Sequence, residues 1–140
     1  MAGILKGKSE DFGKLLLRVT VGGLLLFHGA SKIVHGVGWL VGLLESTGLP
    51  GFIAYGAYIG EVLAPVLLII GYRARIAALL VAIDLLLAIL LVLRHQMFSI
   101  KEAGGGWSIE LETFFILAAL VIFFLGGGRF KVTGKESAWD

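Results

Sequence analysis

Four apolar stretches fill most of this chain, running from about Leu15 to Ile33, Phe52 to Tyr72, Ala74 to Leu93 and Ile109 to Leu125. Each approaches the roughly 20 helical residues that cross a hydrocarbon core of about 30 Å. Lipid offers no hydrogen bonds to the backbone, so segments of this kind must be helices. Yet each stretch carries an ionisable side chain inside it or at its edge: His28, Glu61, Asp84, and one of Glu110 or Glu112. A charge at mid-bilayer costs a few kcal/mol even on lenient insertion scales, so such residues face a bundle interior, pair with one another, or serve a ligand or ion.

The remaining composition agrees with an integral membrane protein. Apolar residues make up 58% of the chain and the mean hydropathy is +0.96, far above a water-soluble domain. Outside the spans only short connections and two charged ends remain, so residues 1–140 are expected to form a single membrane domain. The net charge of +2 is no footprint for nucleic acid, because the basic residues sit at span ends rather than in a stripe with interleaved aromatics. With no cysteine, the chain supplies no disulfide, reactive thiol or iron–sulfur ligand. The charged start, MAGILKGKSEDFGK, leads into a span too long for a signal-peptide core, so the first span is expected to be retained.

Gly71, Tyr72 and Arg73 join the second and third spans so tightly that these must be antiparallel neighbours. The first connection holds Trp39, Leu40, Leu43 and Leu44 at helical spacing, which predicts a short interfacial or re-entrant helix ended by Pro50 and Gly51. In the third, Gly104, Gly105 and Gly106 predict a flexible stretch before Trp107, whose indole suits the headgroup boundary. Lys6, Lys8, Lys14, Arg18, Arg73, Arg75, Arg129, Lys131 and Lys135 fall on one side, and Lys32, Arg94 and Lys101 on the other. Nine against three places both termini in the cytoplasm of a multi-pass cell (plasma) membrane protein. The expected fold is all-α, an antiparallel four-helix transmembrane bundle.

Helical phase gathers the polar residues. Arg18, Gly22, His28, Gly29 and Lys32 share one face of the first span. On the second, Gly56 and Gly60 form a G-x-x-x-G pair continued by Ala64, which invites close approach of another helix or self-association. Pro65 has no N–H to give the Glu61 carbonyl, so a kink is expected beside a carboxylate. Asp84 shares a face with Ala77 and Ala88, and Glu112 with Ala119 and Gly126. Glu61 and Asp84 come out near mid-membrane, with His28, Lys32 and Glu112 in the outer half and Arg18 and Arg75 near the cytoplasmic boundary. A purely structural account has Lys32 paired with Glu61 or Glu112, Asp84 protonated and bonded to a carbonyl, and nothing bound.

Some chemistries are disfavoured. His28 is the one membrane histidine, since His35 and His95 fall in or beside the outer connections, so a bis-histidine haem is not expected. No Glu-x-x-His pair supports a carboxylate-bridged metal centre, and there is no G-x-S-x-G, phosphate-binding or dinucleotide motif.

The runs RVTVGGLLLFHGASKI (Arg18 to Ile33) and GEVLAPVLLIIGYRARIAAL (from Gly60), with the closing GGGRF, together resemble the DoxX family of small four-span membrane proteins from Leu15 to Phe130. After those glycines the family has Ser and Asp where this chain has Lys131 and Thr133. Its pattern of a glycine pair, an aromatic and a glutamate matches Glu110, whereas helical phase favours Glu112, and the choice stays open. The resemblance implies a four-helix bundle, associated in some members with thiosulfate:quinone oxidoreductase or membrane redox complexes.

These readings predict a redox-associated membrane subunit, at most a subunit of a membrane oxidoreductase, with an outer-half pocket for a quinone-like or small anionic ligand. His28, Lys32, Glu61, Asp84, Glu110 and Glu112 are its candidate lining. Glu61 is the candidate for proton exchange, and Trp39, Phe27 and Trp107 are candidates to cover a ring. Arg18, Gly29, Gly56, Gly60, Pro65 and Arg75 are assigned structural roles. A quinone is the one cofactor considered, with no haem or metal. The expected partners are the lipid bilayer, a soluble or membrane redox protein and a second copy of the chain. The alternative is a non-enzymatic scaffold or small-solute carrier.

Overall fold

A computed structural model describes residues 1–132 and 137–140; Thr133 and Lys135, used above in reading the tail and the charge count, lie outside the described residues. The first helix, α1 (Ala2–His35), begins 13 residues before the apolar run and is about 51 Å long, well beyond a bilayer core. Nothing in the charged start stops it: the segment has no proline, and its Leu, Lys and Glu residues are good helix formers. Gly36, at φ 74°, ends it. The first connection does contain a short helix, α2 (Gly38–Ser46).

The second span, α3 (Gly51–Ile70), is a composite. It opens as a 3₁₀ turn, Gly51–Tyr55, passes through one α-turn, Gly56–Tyr58, widens into a π-helix, Ile59–Leu63, and continues as α-helix from Ala64 to Ile70. The π turn is where sequence suggested only a kink. Residue 65 has no N–H, and a proline ring in α-register would press on the carbonyl four residues earlier, that of Glu61. The chain shifts register just before it: the Ala64 N–H donates to Ile59, five residues back.

Gly71, left-handed at φ 75°, closes α3, with its own N–H bonded to Leu68 and that of Tyr72 to Leu67. Arg73 follows, also left-handed, and α4 (Ala74–Leu91) runs back. The last helix is α5 (Glu110–Leu125). Instead of a loose glycine stretch, the third connection is a small hairpin, with an isolated bridge between Ile100 and Trp107 and Gly104, Gly105 and Gly106 all at positive φ. No strand occurs among the described residues.

By length and composition α1, α3 and α4 suffice to cross a membrane; α5 is as apolar but has 16 residues. Helix α1 packs on α3 and α5, and α4 on α3 and α5. Their shared core is rich in small side chains, including Ala64, Ala74, Ala77, Ala78, Ala118 and Ala119. Leucines, valines and phenylalanines such as Leu24, Leu63, Leu86, Phe114 and Phe124 face outward. That inversion, small inside and large apolar outside, suits lipid, where helices associate by close packing rather than by escape from water.

Arginines tie the helix ends together. Arg18 is wholly buried against Gly71, where a Cβ would overlap its guanidinium, and it donates to the Phe130 carbonyl. Its Nε and Nη1 have no partner among the described residues. Arg75 donates to the carbonyl of Phe123 at 2.9 Å and to the backbone oxygen of Asp140 at 3.2 Å. The Asp140 carboxylate receives Lys131 at 3.0 Å, the Arg73 N–H at 3.1 Å and the Ser137 N–H at 3.0 Å. Burial acts to raise its pKa, but these donors outweigh that and hold it below the usual carboxylate range.

Close approach of α1 to α3 depends on two glycines. A Cβ on Gly22 would press on the Pro65 carbonyl and Ile69, and one on Gly29 would overlap the Glu61 carbonyl; Gly23, between them, has nothing within 4 Å. Gly29→Ala should therefore destabilise the detergent-solubilised protein by about 1–3 kcal/mol, while Gly23→Ala should be neutral or gain up to about 1 kcal/mol. Thermal melts followed by circular dichroism check both; equal effects would refute the contact.

Candidate functional site

The π turn brings Glu61 to the place where α1, α3, α4 and α5 leave a cavity of about 370 Å³. Size and lining fit the range of small-molecule sites, roughly 300–1,000 Å³ and mostly apolar with a few polar groups. Leu25, Ile53, Leu80, Leu85 and Leu111 are among its apolar lining, and α2 contributes Trp39, Leu40 and Leu44.

Five of the six expected lining residues are here: His28 and Lys32 from α1, Glu61 from α3, Asp84 from α4 and Glu112 from α5. Glu61 is 7% exposed and forms an ion pair with Lys32, whose own backbone carbonyl accepts the Tyr58 hydroxyl at 3.0 Å. Of the two partners that sequence left open for Lys32, it takes Glu61. Asp84 lies across Gly60 so closely that any Cβ there would overlap its carboxyl group. Glu112 presents a buried carboxylate oxygen, Oε2, with no partner among the described residues. His28, an exposed residue overall, contributes to the lining without a hydrogen bond among the described residues.

Glu110 does not join them. It reaches Lys101 at 3.2 Å beside Gly106, on the solvent-exposed side of the third connection. Two residues along a helix turn the side chain by about 200°, so only one of the pair can face inward, and the helical-phase argument for Glu112 over Glu110 was the sound one.

Other expectations shift too. Gly56 makes no close helix contact, since a Cβ there would meet nothing within 4 Å; it lines the cavity, and only Gly60 of the G-x-x-x-G pair is a contact point. Trp39 lines the cavity as expected, but Phe27 is 77% exposed on the outside, and Trp107 is held in the hairpin, its indole donating to Met97 at 2.6 Å. The aromatic that sequence reading missed is Phe115, buried in the lining. Its position three residues after Glu112, hence on the same face, was the available signal.

Chemically the site is an apolar chamber with a polar end. Three carboxylates share one ammonium, so a ligand there meets acceptors in excess of donors. Among the described residues no group of three or more His, Asp or Glu side chains is placed to hold a metal ion.

Comparison with known proteins places this geometry in context. The DoxX family model matches residues 13–94, more than half of the chain, taking in α1 from Gly13 through α4 but not α5. A Bacillus subtilis (strain 168) protein named "Putative oxidoreductase CatD" is 39% identical over 85 residues, which cover 61% of this chain. The match spans 63% of the length of that relative. No solved structure matches.

Breaking the Lys32–Glu61 pair from one side leaves a buried charge alone. Lys32→Met should cost about 3–5 kcal/mol, whereas Lys32→Met with Glu61→Gln should recover most of it. A double-mutant cycle on unfolding in detergent measures this; additive losses would mean the pair is not coupled.

Proposed function

The chain belongs to the DoxX family of membrane proteins, and on that footing we propose that it is a redox-associated membrane subunit whose cavity binds a quinone-like ligand. The observation that carries this reading is a chamber with Trp39 and Phe115 among apolar walls and with Lys32, Glu61, Asp84 and Glu112 supplying its polar groups. A lipid-soluble ring with oxygens at its edge matches that combination. The name of the Bacillus subtilis relative adds weight to a redox role.

In this reading α5 is the fourth span, and residues 1–140 form one antiparallel four-helix bundle. Lys32 keeps two N–H groups beyond the one given to Glu61, and these, with a His28 N–H, hold a ligand oxygen. Glu61, already poised against an ammonium, exchanges protons with the ligand. A small anion fits less well, because it would enter among three carboxylates. Electrons pass to or from a soluble or membrane partner, since the chain has no thiol, and its polar groups move protons rather than electrons. A scaffold that self-associates through the G-x-x-x-G face is disfavoured, because Gly60 is already occupied by Asp84 within the chain.

Titration of the purified chain with decylubiquinone, followed by Trp39 quenching in a Trp107→Phe/Trp139→Phe background, should give saturable binding. Glu61→Gln and His28→Ala should each weaken it by about tenfold, or roughly 1.4 kcal/mol. Quenching that survives both changes would remove the proposed site.

We also propose a cell-membrane protein with both termini in the cytoplasm, and so the cavity in the outer half, on the nine-to-three distribution of basic residues. The absence of cysteine makes single-cysteine variants clean reporters. Cysteines at Ser9 and Ser137 should be shielded from an impermeant thiol reagent in intact cells, and one at Ser46 labelled. Labelling at Ser9 would reverse the orientation.

A further inference from the structure

The hydrogen-bond inventory of the cavity is lopsided in a way that bears on which redox form of a ligand it holds. Glu61, Asp84 and Glu112 bring six carboxylate oxygens to one chamber, and among the described residues only Glu61 Oε2 is engaged, by Lys32. Glu112 Oε2 is buried without a partner. On the donor side stand the spare N–H groups of Lys32, one His28 N–H and the indole of Trp39. The Tyr58 hydroxyl, also near, is spent on the Lys32 carbonyl.

A quinone carries only acceptors at its ring oxygens, whereas its two-electron, two-proton reduced form carries two hydroxyl donors. Buried acceptors left unmatched lose the free energy of their lost hydration, while matched ones regain it. We propose that, at neutral pH and above, the cavity selects the hydroxyl-bearing quinol over the quinone, with Asp84 and Glu112 as the acceptors that make the distinction. This deepens the quinone-like reading above and rests on it.

The preference must depend on pH. Protonated, Asp84 becomes a donor beside Gly60 and can serve a quinone carbonyl; ionised, it can only accept. Raising the pH therefore weakens quinone binding and leaves quinol binding intact. The other ionisable groups in the lining are His28 and Lys32 from α1 and Glu61 from α3. Lys32 is paired with Glu61, and α2 brings Trp39, Leu40 and Leu44 to the lining. The structural role of Gly60 follows as well: no other residue leaves room for the Asp84 carboxyl group against α3.

Isothermal titration calorimetry of the full chain in detergent, with decylubiquinone and with decylubiquinol under anaerobic conditions, tests this. At pH 8 the quinol should bind at least tenfold more tightly, which for a two-electron couple raises the bound midpoint potential by about 30 mV. At pH 6 the ratio should narrow, through tighter quinone binding. In the Asp84→Asn/Glu112→Gln protein, whose amides donate as well as accept, it should narrow at both pH values. Equal affinities at pH 8, or a tighter quinone, would overturn the selectivity while leaving the quinone-like pocket standing. Saturable binding of neither form would overturn the pocket as well.

Discussion

One missing hydrogen-bond donor organises this protein. Pro65 cannot serve the helical ladder, and the register shift before it produces the Ile59–Leu63 π turn. That turn is gripped from two sides. Gly29 of α1 sits on the Glu61 carbonyl, and Asp84 of α4 sits on Gly60, so the two closest helix approaches near the cavity both land on the widened turn. A residue with a Cβ at either glycine would force the helices apart, and the cavity between them would change shape. At this widened turn a carboxylate, an ammonium and a second carboxylate meet in an otherwise apolar interior.

Much of this was legible in the sequence. Apolar length gave the helical segments, and the positions of Glu61 and Pro65 marked the right turn of the right helix. Helical phase gave His28 and Lys32 a common face on the first span, and these two line the same cavity as Asp84 and Glu112. What escaped was of two kinds. Where several local geometries relieve the same defect, sequence cannot choose: a missing N–H at Pro65 permits a kink or a π turn, and the packing of Gly29 and Gly60 accompanies the latter. Where a motif has more than one use, spacing misleads. Gly56 and Gly60 look like one contact ridge, but Gly60 contacts Asp84 while Gly56 opens into the cavity. Likewise α1 starts at Ala2 because hydropathy marks where a helix becomes lipid-facing, not where it begins.

The two ends of the molecule are held differently. At one, Arg18, Arg75 and the Asp140 carboxylate cross-link α1, the α3–α4 turn and the tail through backbone oxygens and N–H groups. Such a lattice of charge-assisted bonds to main chain is rigid, because every partner is itself anchored. At the cavity end the covering element is α2, which packs through Leu44, with Val37 just before it, against Ala54, with no side-chain hydrogen bond to another helix among the described residues. Dispersion contacts of this kind are less directional than an arginine clamp, so the two ends are held by different kinds of interaction.

The division of the cavity between helices also bears on how widely its chemistry extends. His28, Lys32, Glu61, Pro65 and Asp84 all lie within residues 13–94, the part that matches the DoxX family model, whereas Glu112 and Phe115 lie beyond it on α5. The ion pair and the π turn thus belong to the matched segment, while the unpartnered carboxylate and one of the two aromatic walls come from the helix outside it. In this chain that helix adds the third carboxylate, which enlarges the excess of acceptors that Asp84 already creates beside the Lys32–Glu61 pair.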